Sequence, residues 1–451
     1  MRIISFKGQE VFGYLDFDIK FNSDISFLIG SNGSGKTTVL QLIRALLTPS
    51  FKQLCTSKYS HIEVEFEYKN KREIISSSYS RTGKKILQLK NYDTIELPDI
   101  DHEDILFHID NIQTQNFFRE LMVRYTSHPL IKHLEKIGTP TILGLDRRVE
   151  NNIDQDILMY EKMKYIRNIS EKKRMMLNAT HSMQLSLLES EVLVQQAYKK
   201  VKQEIDEQSQ TLIKGIVESS FNYMDARTIF SQQLNNINKL QQQKSMLERK
   251  DEIETAISKL FTEQSGIKDS IATFFSKLEK LFLKLEKAKT KNDIELNFEW
   301  IINLAQIERI QRIITILDDN TIRTQRLFYQ ISRLINTMNN FFQDSSKEIE
   351  IDTVGHIQIK TPNKISNPIE CLSSGEKQLL IIFVHAIFNL SEEGNVFIID
   401  EPELSLHMKW QEMFVDELLS VVPDIQLIIA THSPEIVGNR IEKTINLKGK
   451  N

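Results

Sequence analysis

Three short stretches carry residue types whose spacing could do chemistry. The first is Gly30-Ser31-Asn32-Gly33-Ser34-Gly35-Lys36-Thr37-Thr38, which fits G-x-x-x-x-G-K-[ST] from Gly30 to Thr37. Glycines let the backbone bend until successive N–H groups converge on phosphate oxygens. Lys36 then supplies a cation for the terminal phosphates, and the Thr37 hydroxyl a ligand for Mg²⁺. The second is Asp400-Glu401, two carboxylates delivered by the apolar run Val396 to Ile399. Asp400 suits a Mg²⁺ contact, and Glu401 suits polarisation of an attacking water. Pro402 is expected to hold Glu401 in an extended conformation. The third is His432, at the end of Ile428-Ile429-Ala430-Thr431. Ser433 and Pro434 then read as the N-cap and first position of a helix.

Further positions have weaker signals. Leu372-Ser373-Ser374-Gly375-Glu376-Lys377-Gln378 opens the apolar run Leu379 to Leu390. Small residues at a helix start expose N–H groups and hydroxyls, although a buried helix cap reads much the same. Arg147-Arg148 follows a short apolar strand, where it suits either a phosphate contact or a surface ion pair. His385, inside the apolar run, reads as a core residue. Lys172, Lys173 and Arg174 form a basic cluster that fits a solvated helix face better than a phosphate site.

The elements that must position these groups alternate strand and helix. Ile25 to Ile29 reads as a strand before the glycine-rich loop, and Thr38 to Leu47 as a helix that stops before Pro49. Arg2 to Phe6 and Tyr14 to Phe21 read as strands, with turns at Lys7-Gly8 and Asn22-Ser23-Asp24. Ile62 to Tyr68, Glu73 to Tyr79 and Lys85 to Lys90 alternate as an antiparallel patch with one wet face. Val396 to Ile399, Ile425 to Ala430 and Thr444 to Leu447 read as strands of a parallel core that the N-terminal strands must complete. Between Pro140 and Pro362 there is no proline. There the apolar residues recur at helical spacing, with a pause at Asp318-Asp319-Asn320 that favours several antiparallel helices over one long coiled coil. The expected organisation is 1–150 as an N-terminal lobe, 151–345 as a helical insertion and 346–451 as a C-terminal lobe.

The 451 residues are 40% apolar and 26% charged, enough to bury a core, and the net charge of −4 gives no global signal for nucleic acid. The two cysteines, Cys55 and Cys371, form no C-x-x-C pair and suit a reducing compartment. The N-terminus is too short and polar for a signal peptide, and no apolar run reaches membrane-spanning length. These features lead us to expect a cytoplasmic chain with no membrane contact.

In their order along the chain, the glycine-rich loop, Leu-Ser-Ser-Gly-Glu, Asp-Glu-Pro-Glu and Thr-His-Ser-Pro resemble the ABC-type ATPases of the SMC, RecF and OLD-nuclease group. The likeness covers roughly Met1 to Ser50 and Ile369 to Ile441. It implies an α/β P-loop ATPase head formed by the two terminal lobes, with ATP and Mg²⁺ as cofactors. It also implies nucleotide contacts from Gly30, Ser31, Asn32, Gly33, Ser34, Gly35, Lys36, Thr37 and Thr38. Metal ligands would be Thr37 and Asp400, and catalysis would fall to Glu401, His432 and Lys36. Ser373, Ser374 and Gly375 would contact the γ-phosphate in trans, across a head-to-tail dimer. Glu403-Leu404-Ser405 would couple the two sites. Ser374 departs from the glycine of transporter signatures, Met408 stands where many OLD-like relatives carry proline, and Gln53, Gln113 and Gln115 compete as the Q-loop glutamine.

No nuclease pattern accompanies the ATPase motifs. The architecture, with Gly144 to Arg148, is similar to the ATPase subunits of Septu antiphage systems. That resemblance implies a partner, a separate HNH nuclease subunit gated by ATP, with DNA reached through the complex. A RecF- or SMC-like clamp in DNA repair is the alternative.

Overall fold

The computed structural model describes residues 1–79, 83–98, 112–138, 140–144, 182–221, 298–363, 365–389 and 396–447, with helical pieces within 272–283. Arg147, Arg148 and the Lys172–Arg174 cluster lie outside the described residues.

The expected parallel core is present. Strands β3 (Ile25–Ile29), β8 (Thr141–Leu143), β12 (Val396–Asp400), β13 (Gln426–Ala430) and β14 (Thr444–Asn446) form one parallel sheet in the order β14-β3-β13-β12-β8. An N-terminal strand thus lies between two C-terminal ones, with Phe27 beside Ile429 and Leu28 beside Ala430. Buried Gln426 ties the ends of the chain together. Its amide nitrogen donates to the carbonyls of Ile3, at 2.7 Å, and Asn22, at 2.8 Å, while its oxygen accepts from Ile3 N at 2.7 Å.

The second sheet is antiparallel, in the order β2-β1-β4-β5-β6-β7. Its strands are β1 (Arg2–Val11), β2 (Leu15–Lys20), β4 (His61–Tyr68), β5 (Lys71–Tyr79), β6 (Lys85–Leu89) and β7 (Ile95–Leu97). Strand β4 shows why it forms: Ile62, Val64 and Phe66 are fully buried, while the intervening glutamates face outward. Helix α1 (Lys36–Leu47) shares one core with both sheets. Val39, Leu42, Ile43 and Leu46 pack with Ile62 and Val64 and with Ile398 and Ile428. On the opposite face of the parallel sheet, Phe397, Ile399, Leu427 and Ile429 share a core with Phe383 and Phe414. Each such buried side chain contributes roughly 1.5–3 kcal/mol. This alternation holds the C-terminal ends of β3, β13 and β12 side by side.

The remaining described elements of the lobes are α2 (Phe51–Thr56), α3 (Ile112–Tyr125), α4 (Pro129–Ile137) and a small sheet of β9 (Glu348–Ile351), β10 (Ile357–Lys360) and β11 (Ser366–Pro368). The chain divides into a unit of Met1–Ala197 with Gln330–Asn451, and a unit of Tyr198–Tyr329. Long helices, α5 (Ser182–Phe221) and α6 (Phe298–Phe342), run through residues of both units.

Two local expectations are corrected. Lys7-Gly8 is not a turn but part of β1, and the chain reverses at Phe12-Gly13-Tyr14, where Phe12 and Gly13 have positive φ. Gly8 serves a close approach instead: a Cβ there would lie 3.1 Å from both the Phe17 and Val11 side chains. The pause at Asp318-Asp319-Asn320 does not break α6. Aspartate and asparagine cost only about 0.7 kcal/mol each in a helix interior, and no glycine or proline stands nearby to add to that.

Candidate functional site

The glycine-rich loop leaves β3 at Gly30 and enters α1 at Lys36. Gly30, Gly33 and Gly35 all take positive φ, at 158°, 80° and 90°. A Cβ at Gly30 would meet Ser34 Oγ at 2.6 Å and the Leu447 carbonyl at 2.7 Å. One at Gly35 would lie 2.6 Å from Phe17 Cζ, so the loop sits directly on the antiparallel sheet. Ser31, Asn32 and Gly33 are exposed, and Ser34 is buried.

The start of α1 suits an anion. No side chain caps it, and its first turn holds no acid. Its first N–H groups therefore stay available, with the positive end of the helix dipole behind them. Ser34 Oγ is buried with no hydrogen-bond partner among the described residues. Lys36 is 6% exposed, and its ammonium folds back onto the carbonyls of Gly30, at 3.0 Å, and Ser31, at 3.4 Å. Burial pushes its pKa down from the ordinary lysine value, against the opposing pull of Glu401, Asp400 and Glu403. A phosphate would replace that lost solvation. These are features a nucleoside triphosphate fits.

Asp400 ends β12, Glu401 follows it, and His432 follows β13, the strand between β12 and β3. Asp400 is 3% exposed. His432 Nε2 stands 3.9 Å from Glu401 Oε1, both partly exposed. Thr37 and Thr38, at the start of α1, are half-buried. The fold therefore places the glycine-rich loop, the carboxylates and the histidine at the ends of neighbouring strands.

Glu401 is not extended. Its φ is +47°, a left-handed conformation that costs energy in any residue other than glycine. The tertiary frame overrides the proline rule. Glu401 N continues the β12–β13 ladder by donating to the Ala430 carbonyl at 2.8 Å, while Leu404 N turns back to the Glu401 carbonyl at 3.3 Å. Ser405, further along the same loop, has φ +67°.

Nothing in the local sequence announces how this loop is held. Glu403 Oε1 accepts from the backbone N–H of His432 at 2.6 Å, so a carboxylate fixes where the histidine starts. Gln411 Nε2 donates to the Leu406 carbonyl at 2.9 Å, while its Oε1 accepts from Ser433 Oγ at 2.7 Å. Ser433 also caps the short helix Pro434–Val437, as its position before Pro434 implies.

Ser373 caps α7 (Ser374–Phe388) in a capping box with Glu376. Ser373 and Ser374 are exposed, while Gly375 is buried against the Ser405 carbonyl. Glu376 is 3% exposed and receives both oxygens' bonds from Lys347 Nζ, at 2.9 and 2.8 Å. Burial alone would raise its pKa. Lys347 and Ser373 outweigh that and hold the carboxyl below the ordinary carboxylate range. His385 lies buried in α7 with Asn389 Nδ2 at 3.4 Å, as its core reading implied. Gln53, one of the competing glutamines, sits on α2 and donates to Gln41 at 3.3 Å.

Residues 12–437 match the AAA ATPase domain family. The chain belongs to that family. Two curated relatives of this AAA ATPase are the retron Vc95 probable ATPase of Vibrio cholerae serotype O1 biovar El Tor and the retron Ec83 probable ATPase of Escherichia coli. The first is 31% identical over 24% of this chain and 23% of its own length. The second is 30% identical over 16% of each. The matched stretch thus spans less than a quarter of either relative. Among solved structures, the Smc head domain of Pyrococcus furiosus aligns over 99% of this chain and 94% of its own, at 13% identity and a TM-score of 0.40. The SMC head domain of Thermotoga maritima aligns over 98% and 92%, at 11% identity and 0.35. Among the described residues, no helix is long and apolar enough to cross a membrane.

Proposed function

We propose that this AAA-family ATPase hydrolyses ATP with Mg²⁺ in a head-to-tail dimer, and that its nucleotide state gates a separate HNH-type nuclease subunit in antiphage defence. The observation that carries the reading is the juxtaposition of Lys36, Asp400, Glu401 and His432 at the ends of three adjacent parallel strands. Bound ATP and Mg²⁺ supply the phosphoryl group and its charge neutralisation. The chain's own residues do the rest. Backbone N–H groups of Gly30 to Thr38 and the Lys36 ammonium bind the phosphates. Thr37 and Asp400 would hold the metal. Glu401 takes a proton from the attacking water, and His432 orients the group being transferred.

Exposure supports the dimer. Ser373 and Ser374 are exposed at the start of α7, and Leu404 is 44% exposed on the adjoining loop. The capping box with Glu376 fixes the start of α7 and the place of Ser373 in it. Ser373, Ser374 and Gly375 would thus meet the nucleotide of a second copy. The names of the retron relatives support the defence setting.

The test is DNA cleavage by the purified chain and by the complex that co-purifies with it, across an ATP titration. The proposal expects no cleavage by the chain alone and nucleotide-dependent cleavage by the complex. Metal-dependent cleavage by the chain alone, abolished by an alanine substitution outside the ATP site, would overturn it. Cleavage by the complex that ignores ATP would remove the gating. Duplex binding by the chain alone, with no nuclease partner, would favour the DNA-repair clamp.

A further inference from the structure

The left-handed Glu401 needs a restraint, and the structure assigns one: we propose that Gln378 is a positioning residue for the catalytic glutamate, clamping its loop to α7 of the same protomer. The inference deepens the reading of Glu401 as the proton acceptor and rests on it.

Gln378 is 1% exposed. Its Nε2 donates to the Pro402 carbonyl at 2.6 Å. That carbonyl accepts only, so the amide must present its nitrogen there. Pro402 follows Glu401 directly, so this bond fixes the peptide between Pro402 and Glu403, one residue beyond the glutamate. A second contact lies one turn earlier on α7. A Cβ at Gly375 would come within 2.3 Å of the Ser405 carbonyl, so helix and loop touch without a side chain between them. The loop's left-handed residues, Glu401 and Ser405, each lie beside one of these contacts. From the far side, Gln411 holds the Leu406 carbonyl.

Packing alone does not ask for glutamine. Gln378 Oε1 is buried with no hydrogen-bond partner among the described residues, and the residues that follow it on α7, Leu379 to Ile382, belong to an apolar core. Leucine or methionine would fill the space without that penalty. What glutamine adds is the donor to Pro402. The helix that opens with Ser373 and Ser374 therefore reaches Glu401 through Gln378. A shift of α7, when its start meets a neighbouring nucleotide, would move the local glutamate.

The experiment is steady-state ATP hydrolysis and thermal unfolding of Gln378→Met, with Gln378→Leu as a second variant. The expectation is a kcat lower by about 10- to 100-fold. KM for ATP should stay within about twofold, because binding is untouched. The unfolding temperature should stay within a few degrees, because an orphaned Pro402 carbonyl replaces the orphaned Gln378 Oε1. In a Glu401→Gln background, adding Gln378→Met should change the residual kcat by less than about twofold, since both act on one group. Unchanged kcat in both variants, an additive loss in the double variant, or failure of both variants to fold would overturn the clamp. The two assignments fail separately. Normal turnover in Glu401→Gln removes the proton acceptor, whereas normal turnover in Gln378→Met and Gln378→Leu removes only the clamp.

Discussion

Glu403 and His432 are joined by one short bond: a carboxylate oxygen of Glu403 accepts from the backbone N–H of His432 at 2.6 Å. Glu403 lies on the loop after β12 and His432 on the segment after β13. The bond therefore ties together the two strand ends that carry the carboxylates and the histidine. The same two segments bring His432 Nε2 to 3.9 Å from Glu401 Oε1. Glu403→Gln keeps an acceptor but weakens the bond. ATP turnover is expected to fall several-fold, with nucleotide affinity retained, because a neutral acceptor is worth roughly half of a charged one. Steady-state kinetics checks this through kcat and KM separately.

Lys36→Ala removes an ammonium that is buried beside three carboxylates. Affinity for ATP is expected to fall by roughly 10- to 100-fold or more, the worth of charge-assisted bonds to phosphate. Equilibrium binding of a fluorescent ATP analogue reads this directly. The same change removes an under-solvated charge, so the unliganded protein is not expected to lose stability.

The composite site makes a prediction about mixtures. Ser374→Arg places a bulky cation at the exposed start of α7 and is expected to abolish hydrolysis, while the same chain still binds ATP. Mixed with inactive Lys36→Ala, it should recover part of the wild-type rate through one hybrid site. Subunit exchange is verified with labelled chains. Exchange without recovery would count against sites shared between copies.

Glu376 predicts a pH dependence of stability. Its folded carboxyl titrates below the ordinary range, held there by Lys347 and Ser373 against burial. A depressed acid stabilises the fold above its unfolded pKa and loses that contribution as pH falls through the folded one. Glu376→Gln is therefore expected to cost about 1–2 kcal/mol at neutral pH. The difference from wild type should shrink as pH drops below the carboxylate range. Denaturant unfolding at neutral and acid pH measures it, and a constant difference would contradict the assignment.

Much of this site was legible in the sequence because its parts follow local rules. The glycine spacing of Gly30 to Thr37, the apolar run before Asp400 and the Ser433-Pro434 helix start each encode their own geometry. The parallel core was legible for the same reason. What escaped depends on contacts across the chain. Glu401 was expected to be extended before Pro402, but the ladder to Ala430 and the contacts from α7 decide its φ. Gln378 closes the stretch Leu372 to Gln378, yet nothing local says that its amide meets a carbonyl 24 residues on. Gly8 looked like a turn because a glycine needed for close packing and one needed for a turn are written alike.

The most direct test of the central claim is ATP turnover by Glu401→Gln, measured together with ATP binding. The amide cannot accept the water's proton, whereas the phosphate contacts through Gly30 to Thr38 and Lys36 remain. ATP binding is expected to stay within about threefold of wild type and kcat to fall by roughly 100-fold or more. Wild-type turnover in Glu401→Gln would contradict it.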